Sequence, residues 1–286
     1  GLSDTDGDGV VDGEVDTDND GLSDALELNI TMTEFDNSDT DGNSVSDGNE
    51  DTDFDNLSNL QELTLTLTDH NSNDSDLDGI TDDLDDQDND GLNNIDEILI
   101  TFTNPTSADT SGDGILDGDI DSDNDGLSNA LELYITGTDI NIADTDSDGV
   151  PDGQEDTDQD NLTDQQELTL TLTNHALNDT DGDGVHDDVD DKDGDGLKNI
   201  DEILITLTNP LLSFTDSGGI KDGTGDADAD GLSDATELNL TLTDISQIDS
   251  DGNGISDSDE DFDADTLSNI IEMTQTLTDP SLADTD

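Results

Sequence analysis

Carboxylates recur along this chain at a spacing suited to a hard cation. Asp16, Asp18, Asp20, Asp24 and Glu27 form the first set, at positions 1, 3, 5, 9 and 12 of a loop. Alternate residues of a tight loop aim their side chains at one centre, and a Glu at position 12 is long enough to offer both oxygens. Ca2+ takes six to eight oxygens at about 2.3–2.6 Å, and D-x-D-x-D-G-x-x-D-x-x-E is the spacing of an EF-hand calcium loop. The set returns as Asp51, Asp53, Asp55, Asn59 and Glu62, then as Asp86, Asp88, Asp90, Asn94 and Glu97. It continues with Asp121, Asp123, Asp125, Asn129 and Glu132, and with Asp156, Asp158, Asp160, Asp164 and Glu167. Asp191, Asp193, Asp195, Asn199 and Glu202 follow, then Asp226, Asp228, Asp230, Asp234 and Glu237, then Asp261, Asp263, Asp265, Asn269 and Glu272. Position 6 must turn sharply; it is Gly in five loops, Asn56 and Asn161 in two, and Thr266 in the outlier.

Another loop begins twelve residues before each of these. Its acidic and amide residues are Asp4, Asp6, Asp8 and Asp12, then Asp39, Asp41, Asn43, Asp47 and Glu50, then Asp74, Asp76, Asp78, Asp82 and Asp85. Further on they are Asp109, Asp113 and Asp117, and Asp144, Asp146, Asp148, Asp152 and Glu155. Asp179, Asp181, Asp183, Asp187 and Asp190 precede the last copy, Asp249, Asp251, Asn253, Asp257 and Glu260. The copy starting at Phe214 keeps only Asp216 and Asp222 and is expected to bind weakly or not at all. About fourteen credible Ca2+ sites result. Glu usage supports ligand geometry over general acidity. Of 13 Glu, eight hold position 12 of the later loop and three hold position 12 of the earlier one.

The loops must be presented by a regular scaffold, because the spacing never slips. Eight repeats of 35 residues run 4–38, 39–73, 74–108, 109–143, 144–178, 179–213, 214–248 and 249–283, and 284–286 reads as the start of a ninth. Nothing would penalise slippage in a disordered acidic tail, so constant register argues for one tandem folded array over 1–286. Above it lies a period of 105 residues: QELTLTLTDH ends at His70 and QELTLTLTNH at His175. After each Glu, apolar residues alternate with Thr, most clearly over Thr64–Thr68, which predicts one short half-buried β-strand per repeat. Leu22, Ala25 and Leu28 have helical spacing before it. The expected fold is a solenoid-like, elongated, calcium-stabilised rod of loops, short helical turns and one strand per repeat.

Composition excludes several function classes. The 286 residues hold 82 Asp plus Glu against 3 Lys plus Arg, for a net charge of -79, so the acids cannot pack together without cations. That charge repels nucleic acid. No 18-residue apolar run exists to span a membrane. Without Cys there are no disulfides, thiol nucleophiles or Cys-ligated zinc. The only His are His70, His175 and His186; the first two are equivalent 105 residues apart and read as turn residues, and no catalytic set has context. The chain is not expected to be an enzyme. N-x-S/T triplets at Asn29, Asn56, Asn73, Asn161, Asn178 and Asn239 allow glycans, with Asn29 and Asn239 favoured.

The alternation of DTDGDGVxD loops with DxDNDGLSDxxE loops, followed by T-N-P or T-D-P turns, resembles the thrombospondin type 3-like calcium repeats of bacterial and archaeal surface proteins. The resemblance covers essentially the whole chain. It implies a chain wrapped around a string of Ca2+ ions, located outside the cell, serving as stalk, spacer or matrix component. One departure is that only Gly137-Thr138 keeps a Gly before the turn, a slot filled elsewhere by Met32, Leu67, Phe102, Leu172, Leu207, Leu242 or Leu277. The leading expectation is a segment of a calcium-stiffened extracellular fibre or stalk that self-associates through the Leu-bearing strand face. Alternatives are a non-assembling spacer of a cell-surface adhesin, and a calcium buffer or sensor. A sensor exposes a Met-rich groove, and this chain has two Met.

Overall fold

The computed structural model describes residues 13–215 and 219–283. Asp4, Asp6, Asp8 and Asp12, Asp216, and the start of a ninth repeat at 284–286 lie outside the described residues. Two compact units are present, one of 1–124 with 128–142 and one of 125–127 with 143–286. The same 35-residue cycle runs through each.

The second repeat shows the cycle. Its earlier loop ends in a tight 3-10 turn, Asp47–Asn49. The Glu50 carbonyl then accepts from Asn59 N at 2.7 Å, which ties the earlier loop to the later one. An α-helical turn, Asn59–Gln61, starts where Ser58 caps it: the Ser58 hydroxyl accepts from Gln61 N and the Gln61 side chain accepts from Ser58 N. That reciprocal pair satisfies two amides that a helix start would otherwise leave without partners. The chain continues as a wider π-helical turn, Glu62–Thr66, and stops at Leu67 in the left-handed conformation, φ 60°. Thr68 N closes the end by donating to the Glu62 carbonyl at 3.2 Å, a Schellman-type stop. Thr163 and Gln166 repeat the reciprocal cap in the second unit.

The expected β-strand is replaced by this helical end; no described residue lies in a strand. The reason is hydrogen bonding by Thr. Thr66 is fully buried, shares a hydrogen bond with Thr68 at 2.7 Å, and Thr68 donates on to Glu62 Oε1. The Thr side of the alternation therefore faces inward, while Leu65 and Leu67 are exposed. A half-buried strand would bury the opposite side.

Among the described residues the buried apolar core is small: the position-7 leucines of the first seven repeats, with Ile140. Leu22, Leu57 and Leu92 in the first unit, and Leu162 and Leu197 in the second, are fully buried at position 7 of the later loop. His70 is buried in a turn slot that Pro105 and Ile140 also bury, 35 and 70 residues on, as a turn role predicts.

Candidate metal centres

Loop backbone and carboxylates divide the work in the later loops. Asp51 Oδ1 accepts from Phe54 N at 2.7 Å, its Oδ2 accepts from Asn56 N at 3.1 Å, and Asp55 Oδ1 accepts from Leu57 N at 2.8 Å. These bonds curl the chain so that one carboxylate oxygen from each of Asp51, Asp53 and Asp55 lies within 4.8 Å of the others. Buried Glu62 comes in from the helical turn, with Oε1 held by Thr68.

Other oxygens in the same place have no partner. Both oxygens of Asp53, with Asp55 Oδ2 and Glu62 Oε2, are buried and accept no hydrogen bond. Asp88 and Glu97 Oε2 repeat this in the third repeat, and Asp158 and Glu167 Oε2 in the fifth. Buried polar groups in folded chains are almost always satisfied, so orphan oxygens converging from three carboxylates fit a resident cation. They are hard donors of the kind Ca2+ takes.

One ligand group crosses between repeats. Asp55, Glu62 and Asp82 offer oxygens within 4.8 Å of one another, as do Asp20, Glu27 and Asp47. Asp82 and Asp47 belong to the earlier loop of the following repeat. Sequence spacing alone placed them in their own loop, and nothing in the spacing signals the neighbouring site. Their other task is local: Thr40 donates from both N and hydroxyl to Asp47, and Ser75 does the same to Asp82.

Position 9 of the later loop is also tied into its loop by hydrogen bonds. Both Asp24 oxygens accept from Thr17, at 2.9 and 2.8 Å. Asp164 accepts likewise from Thr157, and Asn59 Nδ2 donates to the Asp47 carbonyl while its Oδ1 accepts from Thr52. These residues brace the loop.

The earlier loops keep the same curl but stay open to solvent. Asp74, Asp76 and Asp78 cluster within 4.8 Å with Asp76 and Asp78 exposed. In the second repeat Asn43 Nδ2 bridges Asp41 and Glu50, at 3.2 and 2.9 Å. Asn253 makes the same bridge to Asp251 and Glu260. In the loop that begins at Phe214 an ammonium stands nearby instead, with Lys221 Nζ donating to the Gly194 carbonyl. Of the glycan triplets, Asn239 commits its amide to the Gly196 carbonyl and Asn29 to that of Ala25.

Burial and mutual repulsion make these carboxyls weak acids. Burial, then Asp53, Asp55 and Asp82, push Glu62 from 4.5 up to about 8. Burial and the neighbouring Asp88 and Asp90 do the same to Glu97. A raised carboxyl binds its proton more tightly in the fold than in the unfolded chain. Its stabilising contribution is complete below about 4.5 and is lost as pH rises through about 8. The ion-stripped chain should therefore gain order as pH falls from 8 to 4.5. The calcium-loaded chain should bind its ions less tightly over the same interval, because protons compete for the same oxygens. Far-UV circular dichroism of resin-stripped protein checks the first sign and calcium titration at each pH the second. Acid-induced loss of order in the stripped chain would contradict the raised acidities.

Residues 16–30 and 121–139 match the family model of the bacterial TSP3 repeat. The two stretches begin 105 residues apart, each at position 1 of a later loop. The match agrees with the thrombospondin type 3-like resemblance; TSP3 repeats are structural, calcium-binding repeats. No curated protein and no solved structure matches the chain. No described helix is long and apolar enough to cross a membrane.

Proposed function

We propose that this chain builds a calcium-stiffened extracellular fibre or stalk, with Ca2+ held in the later loops and in most of the earlier ones. The observation that carries the reading is the set of buried, partnerless oxygens on Asp53, Asp55 and Glu62 and their equivalents in the third and fifth repeats. An ion at that place is part of the fold more than a cargo, since removing it strands several buried charges. In the earlier loops position 12 is held by residues such as Glu50 and Glu155.

Assembly is supported by a row of exposed apolar residues that cost backbone energy. Leu67 and Leu172 adopt φ of 60° and 52° and are 69 % and 61 % exposed. A left-handed conformation costs a residue with a Cβ about 1–2 kcal/mol. Gly137 occupies the slot without that penalty, yet seven repeats place a large apolar side chain there. A second copy of the chain, bearing the same row, is the proposed partner. Fibres should form at millimolar calcium and bury the faces of Leu65 with Leu67 and Leu170 with Leu172. Electron microscopy at high protein concentration reads this out. Leu170→Asp should shorten the fibres; separate particles in the parent protein, or intact fibres in the variant, would remove assembly from the proposal.

A further inference from the structure

The 105-residue period has a physical counterpart in the joints between successive repeats. Position 6 of each of the first seven later loops meets the next repeat, and it does so in three ways.

The first kind of joint is closed by glycine. A Cβ on Gly21 would lie 2.8 Å from Leu60 Cδ2, and one on Gly126 would lie 2.8 Å from the Gln165 side chain. On the other side Gly48 N donates to Asp20 Oδ2 and Gly153 N to Asp125 Oδ2, each at 3.1 Å. A Cβ on Gly48 would meet the Asp20 carbonyl oxygen at 2.6 Å. At Gly48 and Gly153 the backbones touch, as they also do at Gly118 and Gly223, so the close side chains of Leu60 and Gln165 are what mark this kind. The joint at Gly231 departs in two respects: a Cβ there would stand 3.7 Å from Ile270, and Ser258 stands where Gly48 does, its hydroxyl donating to the Asp230 carbonyl.

The second kind is a side-chain pair. Asn56 Nδ2 donates to Asp83 Oδ2 at 2.7 Å, and 105 residues later Asn161 Nδ2 donates to Asp188 Oδ2 at 2.9 Å. Asp83 and Asp188 replace the touching glycine and are 3 % and 5 % exposed. The backbone shifts with them. The Asp83 carbonyl accepts from Ile95 N and that of Asp188 from Ile200 N, at 3.0 and 2.9 Å. Asp55 Oδ2 and Asp160 Oδ2 lack the amide that Asp20 receives.

The third kind is a clamp from further along. Gly91 and Gly196 face the small side chains of Ala130 and Ala235, at 3.7 and 3.5 Å from where a Cβ would stand. A polar residue at one sequence position then reaches back across the joint. Tyr134 donates to Asp96 Oδ2 at 2.7 Å and accepts from Asn93 N at 2.9 Å. Its equivalent 105 residues on, Asn239, donates to the Gly196 carbonyl at 2.9 Å.

We infer that these joints are an interface code: each repeat accepts one kind of successor, and the three-repeat period fixes the order of units along the array. The second kind excludes the other two. Asn at the Gly21 position would have to displace the Leu60 side chain, and Gly at the Asn56 position takes from buried Asp83 the donor on its Oδ2, leaving only the Thr81 hydroxyl on Oδ1. A buried carboxylate oxygen left without a partner is destabilising. The inference stands apart from fibre assembly, since it concerns contacts within one chain.

The test exchanges repeats 39–73 and 74–108. Composition, net charge and every loop stay the same, and only the joints change. The exchanged array should unfold at least about 4 °C below the parent at equal millimolar calcium, a shift that a single poor joint produces in a chain of this size. A second set of variants works without rearranging the chain. Asn56→Gly and Asp83→Gly should each lower the midpoint, and the double variant, which rebuilds the glycine joint, should recover at least half of the summed loss. Equal midpoints for parent and exchanged arrays, or losses that simply add in the double variant, would overturn the code.

Discussion

Chelation at pH 8 should remove the ordered turns of this chain. Protection of the Leu57 and Leu92 amides from hydrogen exchange should be lost, and so should the helical far-UV signal. Those amides donate to Asp55 and Asp90, which stand among other carboxylates whose repulsion the proposed cation would offset. The reason for so large an effect is arithmetic. At millimolar calcium a site with the tighter affinity of extracellular modules contributes roughly 1.5 kcal/mol. The proposed sites, about fourteen, would together contribute on the order of 20 kcal/mol, above the 5–15 kcal/mol net stability of an ordinary domain. A core of little more than the position-7 leucines cannot replace that, and 82 acids facing 3 Lys plus Arg oppose any compact state without ions. Exchange protection that persists in excess EGTA would show that the fold stands without its ions.

Glu97→Gln should cost the third repeat its closed site. The side chain keeps its shape, and its Oε1 still accepts from Thr103 at 3.1 Å. What goes is the negative charge and the second hard oxygen, buried and partnerless in the parent. Affinity at that site should fall about tenfold or more, about 1.4 kcal/mol. Distant repeats should keep their ions, because arrays couple mainly to neighbours. Glu34→Gln is the matched control: it removes the same formal charge from an exposed residue outside position 12. Calorimetry resolves the two. If both variants bind as the parent does, or lose affinity equally, Glu97 is not a ligand.

Ligand types and their register were open to sequence reasoning because metal geometry constrains residue identity directly. The matched repeats at 16–30 and 121–139 fall on the loops so identified. The helical end was hidden because two of its signals were missing. Its stopping residue is Leu, Met or Phe in seven repeats, where Gly marks the end of most such helices. Its Thr–Leu alternation matches a strand period, although Thr66 and Thr171 are the buried members and Leu65 and Leu170 the exposed ones. Burial of Thr is stabilised by hydrogen bonds to Glu62 and Glu167, a tertiary arrangement that hydropathy does not encode. The placing of Asp47 beside Asp20 and Glu27 depends on how one repeat stacks on the next, information absent from spacing within a loop.

The pairing of Asn56 with Asp83 also limits how a gene for such an array can change length. Misaligned recombination between near-identical repeats adds or deletes units. A shift of 35 residues would set Asn56 against the close backbone approach at Gly118, or Gly21 against Asp83. A shift of 105 residues returns Asn56 to the partner type it has now, as Asn161 and Asp188 already show. Length variants that keep their stability therefore differ by whole three-repeat blocks, which makes the block the heritable increment of length.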